Sequence, residues 1–311
     1  MTGAVDLSKW SEPPVGPAAA GSRRLLADWG ERMWRDGVGP GTVSQRVSHA
    51  RRFLVYLESA GVGGVDQARV VDAEGFLRVL RATCAPPSMR VAKNMLSQFA
   101  RFAGRVDLAE CFARVAARRK RSPLTVLTDA EVAAVGAACR AADPRDAAMV
   151  LLALMTGLRG CDICAMELEH IDWRAGRINI FQQKTGNLLT LPLPAPAGNA
   201  MKRYILDARP ATTDRHVFIR SHAPYVGLSG NGVPRRALGR VFGAAGVVPR
   251  QLGTRLTRHS LASRMLASRV AAPTIAAVLG HADPGSVDAY LDTDAESMLG
   301  CVLPLPEAAR L

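Results

Sequence analysis

Nowhere does the chain hold a run of about 18 consecutive apolar residues, the length that crosses a bilayer as a helix, so no transmembrane helix is expected. Its opening, MTGAVDLSKWSEPPVGPAAAGS, lacks the apolar centre of a secretory signal, and residues 1–21 read as a flexible lead. Both absences point to a cytoplasmic protein. A Walker-type glycine loop is missing, as is any His-x-Glu zinc pattern, and neither a metal nor another cofactor is expected. Cysteine is sparse and scattered, at Cys84, Cys111, Cys139, Cys161, Cys164 and Cys301, which suits reduced thiols in a chain with ample core. Cys161 and Cys164 form a C-x-x-C with no second ligand pair and no thioredoxin-like context; they read as small apolar packing residues.

The most telling shortage is of negative charge. The 311 residues carry a formal net charge of +13. Through Ser122 there are 20 Lys and Arg against 11 Asp and Glu, and beyond it 20 against 16. From Gly75 to Val106 no acid occurs at all, beside six basic residues. A solvated surface ordinarily mixes both signs. This asymmetry points to a polyanion, with DNA or RNA ahead of an anionic membrane surface.

What is present is mostly helical periodicity. A first helix spans about 22–36 and ends at DGVGPG. Thr42 can cap a second, whose stripe is Val43, Val47, Ala50, Leu54 and Leu57. Its other face holds Ser44, Gln45, Ser48, His49, Arg51 and Arg52. A helix after Pro86-Pro87 has a core side of Met95, Leu96, Phe99 and Phe102, and a polar side of Arg90, Lys93, Asn94, Ser97 and Arg101. Such cationic, amide and hydroxyl faces suit phosphate contacts. A short helix near 107–117 runs into ARRKRSP, a basic linker over 118–123 that includes Lys120. A second domain, 124–311, opens with the capping-box pair Thr128 and Glu131. Helices near 144–156 and 160–168 precede two alternating strands, RINIF and NLLTLPL, joined by a turn containing KTG. HVFI is a further candidate strand.

Three distant segments each set a cation near a turn or helix end: Arg159 after Thr156-Gly157-Leu158, Lys184 in QQKTGN, and Arg258 in RLTRHSLASRM. His281 then precedes a segment in which Asp283 can cap a helix and Pro284 can start it, and Tyr290 stands nine residues after His281. TGLRGCDICAMEL, FQQKTGNLLTLPL, RLTRHSLASRML and LGHADPGSVDAYL, in that order, resemble the four boxes of the lambda-integrase-type tyrosine recombinases, over about 123–295. The basic region 22–117 resembles their helical core-binding (SAM-like) domain. The resemblance implies a fold that is mainly α with a small β-sheet, a core-binding domain followed by a mostly helical catalytic domain.

It also implies roles. Arg159, Arg258 and His281 would contact the scissile phosphate, and Lys184 would protonate the leaving 5′-oxygen. Tyr290 would attack to form a 3′-phosphotyrosyl ester. Asp162 would orient neighbouring cations, and His259 would brace its box. Arg255 occupies a position where the family usually has histidine. An arginine contacts phosphate but cannot accept a proton at neutral pH, so Arg255 is expected to act electrostatically. Duplex DNA is the implied partner, contacted by Arg51, Arg52, Arg90, Lys93, Arg101 and Lys120, with a homotetramer on two sites. Type IB topoisomerase activity and non-catalytic DNA binding on the same fold stand as alternatives.

Overall fold

The computed structural model describes residues 16–114, 124–230 and 232–280, without the side chain of Pro87. The lead up to residue 15, residues 115–123 with Lys120 and the whole linker, and everything from His281 onward, Tyr290 included, lie outside the described residues. The chain forms two compact units that divide between Arg121 and Ser122.

The first unit is helical: α1 (Ala20–Arg35), α2 (Pro40–Ser59), α3 (Val70–Thr83), α4 (Pro86–Phe102) and α5 (Val106–Arg114). Its core is aromatic at the centre. Phe53 of α2 meets Phe76 of α3 at 5.3 Å and Phe112 of α5 edge-on at 5.3 Å, while Trp29 of α1 lies 5.1 Å from Phe99 of α4. Arg105, between α4 and α5, reaches back to the carbonyls of Asp66 and Ala68 and pairs with Asp107 at 2.6 Å, which ties the α2–α3 loop to the start of α5.

Local detail departs from expectation in places. The second helix starts at Pro40 with Gly39 as its uncapped N-cap, because proline's fixed φ already starts a helix; Thr42 lies within the first turn. Ser97 is buried and donates to the Ala109 carbonyl at 2.9 Å, so it belongs to the α4–α5 contact and not to the polar face. Phe102 is 37% exposed and borders the core instead of filling it.

The second unit contains α6 (Asp129–Ala138), α7 (Pro144–Thr156), α8 (Gly160–Cys164), β1 (Ile171–Asp172), β2 (Arg177–Phe181), β3 (Leu188–Pro192), α9 (Ala195–Arg203), α10 (Gly232–Ala244), α11 (Thr254–Ala267) and α12 (Ala272–Leu279). The three strands form one antiparallel sheet in the order β1-β2-β3, with Phe181 opposite Leu188 and Arg177 opposite Pro192. Ile178, Ile180, Leu189 and Leu191 face the core by strict alternation.

Helix α7 is the axis of this unit and packs against α9, α10 and α11. It is apolar nearly all round, the composition of a helix buried on every side. Its acid, Asp146, is buried and is met by Arg240 of α10 through two hydrogen bonds of 2.6 and 2.9 Å. The fold is thus mostly helical with a small sheet. The eighth helix stops at Cys164, shorter than 160–168, and a 3₁₀ turn follows at Leu168–His170. HVFI forms only single bridges, Glu167 with His216 and Ile219 with Gly227, and is no strand.

Candidate active site

Helix ends build this region. The carbonyls of a helix's last turn have no intrahelical donor and carry partial negative charge. α7 ends at Gly157 and α12 ends at Leu279 and Gly280; both glycines hold left-handed φ, +65° and +61°. Arg258, on α11 and only 6% exposed, donates to the Gly157 carbonyl at 3.0 Å and to the Leu279 carbonyl. One guanidinium therefore serves two helix C-termini. Gly157 lies two residues before Arg159, and Leu279 two before His281. Arg258 is thereby placed beside the segments that carry the first and last boxes.

The hairpin joins the same knot. Gln182, 1% exposed, donates its amide to the Leu279 carbonyl at 3.2 Å and accepts from Thr185 at 2.8 Å. Asp162 accepts from the Gln183 backbone N–H at 2.9 Å and lies 3.9 Å from the Arg159 guanidinium. Lys184, next in the turn, is exposed. Asp162 thus links the Arg159 helix to the Lys184 turn, and one of its oxygens, like Arg159 Nη1, is buried with no hydrogen-bond partner among the described residues. The Gly160 N–H donates to Thr254 Oγ1 at 3.0 Å, joining α8 to the start of α11. Ser260 Oγ accepts from Leu127 at 2.8 Å, which seats the start of the second unit on α11.

Arg159, Arg258 and the Lys184 turn are therefore brought together. Arg255 is exposed one helical turn before Arg258, and its Nε donates to His259 Nε2 at 3.3 Å. Arg51, Arg52, Arg90, Lys93 and Arg101 belong to the first unit. There Arg90 and Arg101 are exposed, while Lys93 also donates to the Ala113 carbonyl at 3.1 Å. Gln182, Thr254 and Ser260 were not singled out from the sequence. They are ordinary polar residues whose partners lie on remote elements. Their only signal is proximity to a box.

Burial pushes the Cys164 thiol up to about 12 and the Cys139 thiol up to about 11, so both stay protonated at neutral pH. Cys164 donates to the Gly230 carbonyl at 3.1 Å as a packed helix residue. Among the described residues no group of three or more His, Cys, Asp or Glu is placed to hold a metal ion, and no helix is long and apolar enough to cross a membrane.

Residues 125–297 match the Phage integrase family. A Sinorhizobium fredii protein named as an integrase/recombinase, y4rA, is 38% identical over 170 residues, which are 53% of this chain and 40% of that protein, so the chain spans less than half of that relative's length. Tyrosine recombinase XerA of Pyrococcus furiosus is 30% identical over 235 residues, covering 73% of this chain and 77% of the relative. In structure, a lambda integrase tetramer bound to a Holliday junction superposes with a TM-score of 0.66 at 17% identity, over 86% of this chain and 76% of that one, a likeness of fold. The chain belongs to the phage integrase family, the tyrosine recombinases.

Gly280 shows how tightly the site is packed. A Cβ there would overlap the Gln182 amide, at a left-handed φ that costs an L-residue about 1–2 kcal/mol. Gly280→Ala is expected to lower the melting temperature by several degrees, because the hairpin that holds Lys184 must move. Calorimetry of the two proteins checks this, and an unchanged melting curve would show that the hairpin yields freely.

Proposed function

We propose that this protein is a site-specific recombinase that breaks and rejoins duplex DNA through a 3′-phosphotyrosyl ester on Tyr290. The observation that carries this reading is Arg258, whose two backbone hydrogen bonds tie the second arginine box to the segments of the first and last boxes. In-line attack on a phosphodiester builds negative charge on the non-bridging oxygens. Arg159 and Arg258 are the cations suited to meet it, since a guanidinium fork matches phosphate geometry.

The steps balance among the chain, its substrate and solvent. The Tyr290 hydroxyl gives its proton to water, its oxygen bonds to phosphorus, and the bond to the 5′-oxygen breaks. Lys184 gives that oxygen a proton, and His281 donates a hydrogen bond to the phosphate. Attack by another 5′-hydroxyl reverses the sequence, and because the bond energy is held in the ester, no nucleotide is consumed.

The first unit supplies the remaining DNA contacts in this reading, through Arg51, Arg52, Arg90, Lys93 and Arg101, with Lys120 crossing the backbone in the linker. Four copies would act on two sites in the cytoplasm, as the tetrameric lambda integrase sits on its junction. Arg255 acts as an electrostatic contact. Arg255→His, which restores the residue usual in the family, is expected to retain cleavage at saturating DNA; total loss would overturn that role.

Trapping on a nicked suicide duplex tests the proposal. A covalent protein–DNA adduct supports it, and no adduct from the wild-type chain would reduce the protein to a DNA-binding relative. Relaxation of supercoiled plasmids that is independent of any site would instead mark a type IB topoisomerase.

A further inference from the structure

The second unit holds a cationic cleft at the start of α11. Its volume is about 380 Å³, and Arg235, Arg250, Gln251, Arg255 and His259 line it. Arg235 comes from α10, Arg250 and Gln251 from the loop before α11, and Arg255 and His259 from the first turns of α11. Among the described residues, three guanidinium groups line this space and no carboxylate does. Gly253 is the N-cap of α11 and has no side chain to cap the first turn, so the positive end of a 14-residue helix opens on the same space. Neither Arg235 nor Arg250 forms an ion pair among the described residues.

We propose that this cleft binds one backbone phosphate of the DNA next to the reacting one, gripped jointly by Arg235, Arg250 and Arg255; this rests on the recombinase reading. The ligand follows from the lining. Planar guanidinium forks converging without an acid select a phosphate-like oxyanion. The position follows from the helix. Arg255 precedes Arg258 by three residues, about 4.5 Å along the α11 axis at 1.5 Å per residue. Side chains three residues apart on a helix leave one face with Cβ atoms about 5–6 Å apart, so a strand whose reacting phosphate lies at Arg258 presents a neighbour to the cleft. The hydrogen bond from Arg255 Nε to His259 holds this arginine by its inner nitrogen and leaves the terminal nitrogens for the phosphate. The cleft then registers the strand on the enzyme and lies outside the bond-breaking step.

The test uses the full chain and a duplex that it binds, intact and nicked. Equilibrium binding is measured as a function of salt for the wild type, R235A, R250A, R235A/R250A and R250K. Each neutralised phosphate contributes about 0.9 to the slope of log affinity against log salt. The double variant is expected to lose about 0.9 of slope, no more than one phosphate's worth, and about tenfold in affinity. R250K should keep the slope. Adduct formation at saturating nicked DNA should be unchanged in the double variant. An unaltered slope and affinity would overturn the proposal, as would a loss of about 1.8, which would mean two independent phosphates. A fall in the adduct rate at saturation would assign the cleft to the reacting phosphate instead. If the wild type traps no adduct yet the double variant loses the slope of one phosphate, the cleft stands and the recombinase reading fails.

Discussion

Tyr290→Phe is expected to abolish the covalent adduct while leaving DNA affinity near that of the wild type. The change removes one hydroxyl and keeps the ring. If that oxygen is the nucleophile, nothing replaces it, and loss of a nucleophile lowers turnover by about a million-fold. The chain has only four tyrosines, which makes the result easy to interpret. Tyr204 is 2% exposed and stacked on Phe218 at 5.6 Å, and burial raises its pKa, so it is sealed from DNA. Tyr56 belongs to the helical N-terminal unit, and burial raises its pKa as well. Tyr225, 40% exposed in the second unit, is the remaining candidate. An adduct that survives in Tyr290→Phe and disappears in Tyr225→Phe would move the nucleophile to that loop. Gel shift and denaturing electrophoresis of the same reactions separate binding from chemistry.

Arg258→Lys is expected to carry the second-largest effect. Lysine keeps the charge but loses the planar fork. Arg258 already donates to two helix-terminal carbonyls. A single ammonium nitrogen lacks the fixed spacing by which two guanidinium nitrogens reach the two carbonyls. The Leu279 carbonyl would keep the Gln182 amide as a donor, while Gly157 would lose the guanidinium it accepts from. Leaving a buried acceptor unsatisfied costs about 1–3 kcal/mol of stability. Losing a donor aimed at the developing charge costs about 2.7–4 kcal/mol, or 10²–10³ in rate, by analogy with oxyanion holes. Single-turnover adduct formation should therefore slow by about two to three orders of magnitude, with affinity for uncut DNA little changed. The melting temperature should fall as well. A lysine variant at the wild-type rate would show that charge alone suffices at this position.

The parts of the fold that were legible beforehand are those with local causes. Thr128 caps α6 and Glu131 closes the capping box, as their spacing implies. Pro144 starts α7 and Gly157 ends it. The two strands beside Lys184 follow from alternation. Where local cues compete, context beyond them decides. Proline outweighed the threonine cap at the start of α2, and HVFI, strand-like by composition, found only single bridges. Ser97 looked like part of a polar face because a serine fits either side of a helix. The approach of α5, which presents the Ala109 carbonyl, decided the matter.

Taken alone, the sequence determined the helices, the hairpin, the excess of positive charge and the four boxes. Caps, prolines, periodicity and residue type act over a few positions, and the chain spells them out in order. Only the tertiary structure decided which leftover carbonyls each cation would meet. The Gly157 and Leu279 carbonyls lack intrahelical partners because two helices end there, and they converge on Arg258 because α7, α11 and α12 pack together. Gln182 became a strut between the hairpin and α12 for the same reason. Arg255, three residues from Arg258, faces a different cleft because α10 and the loop before α11 bring Arg235 and Arg250 to it. Spacing along the chain does not encode such meetings, because they depend on where the ends of remote helices come to lie.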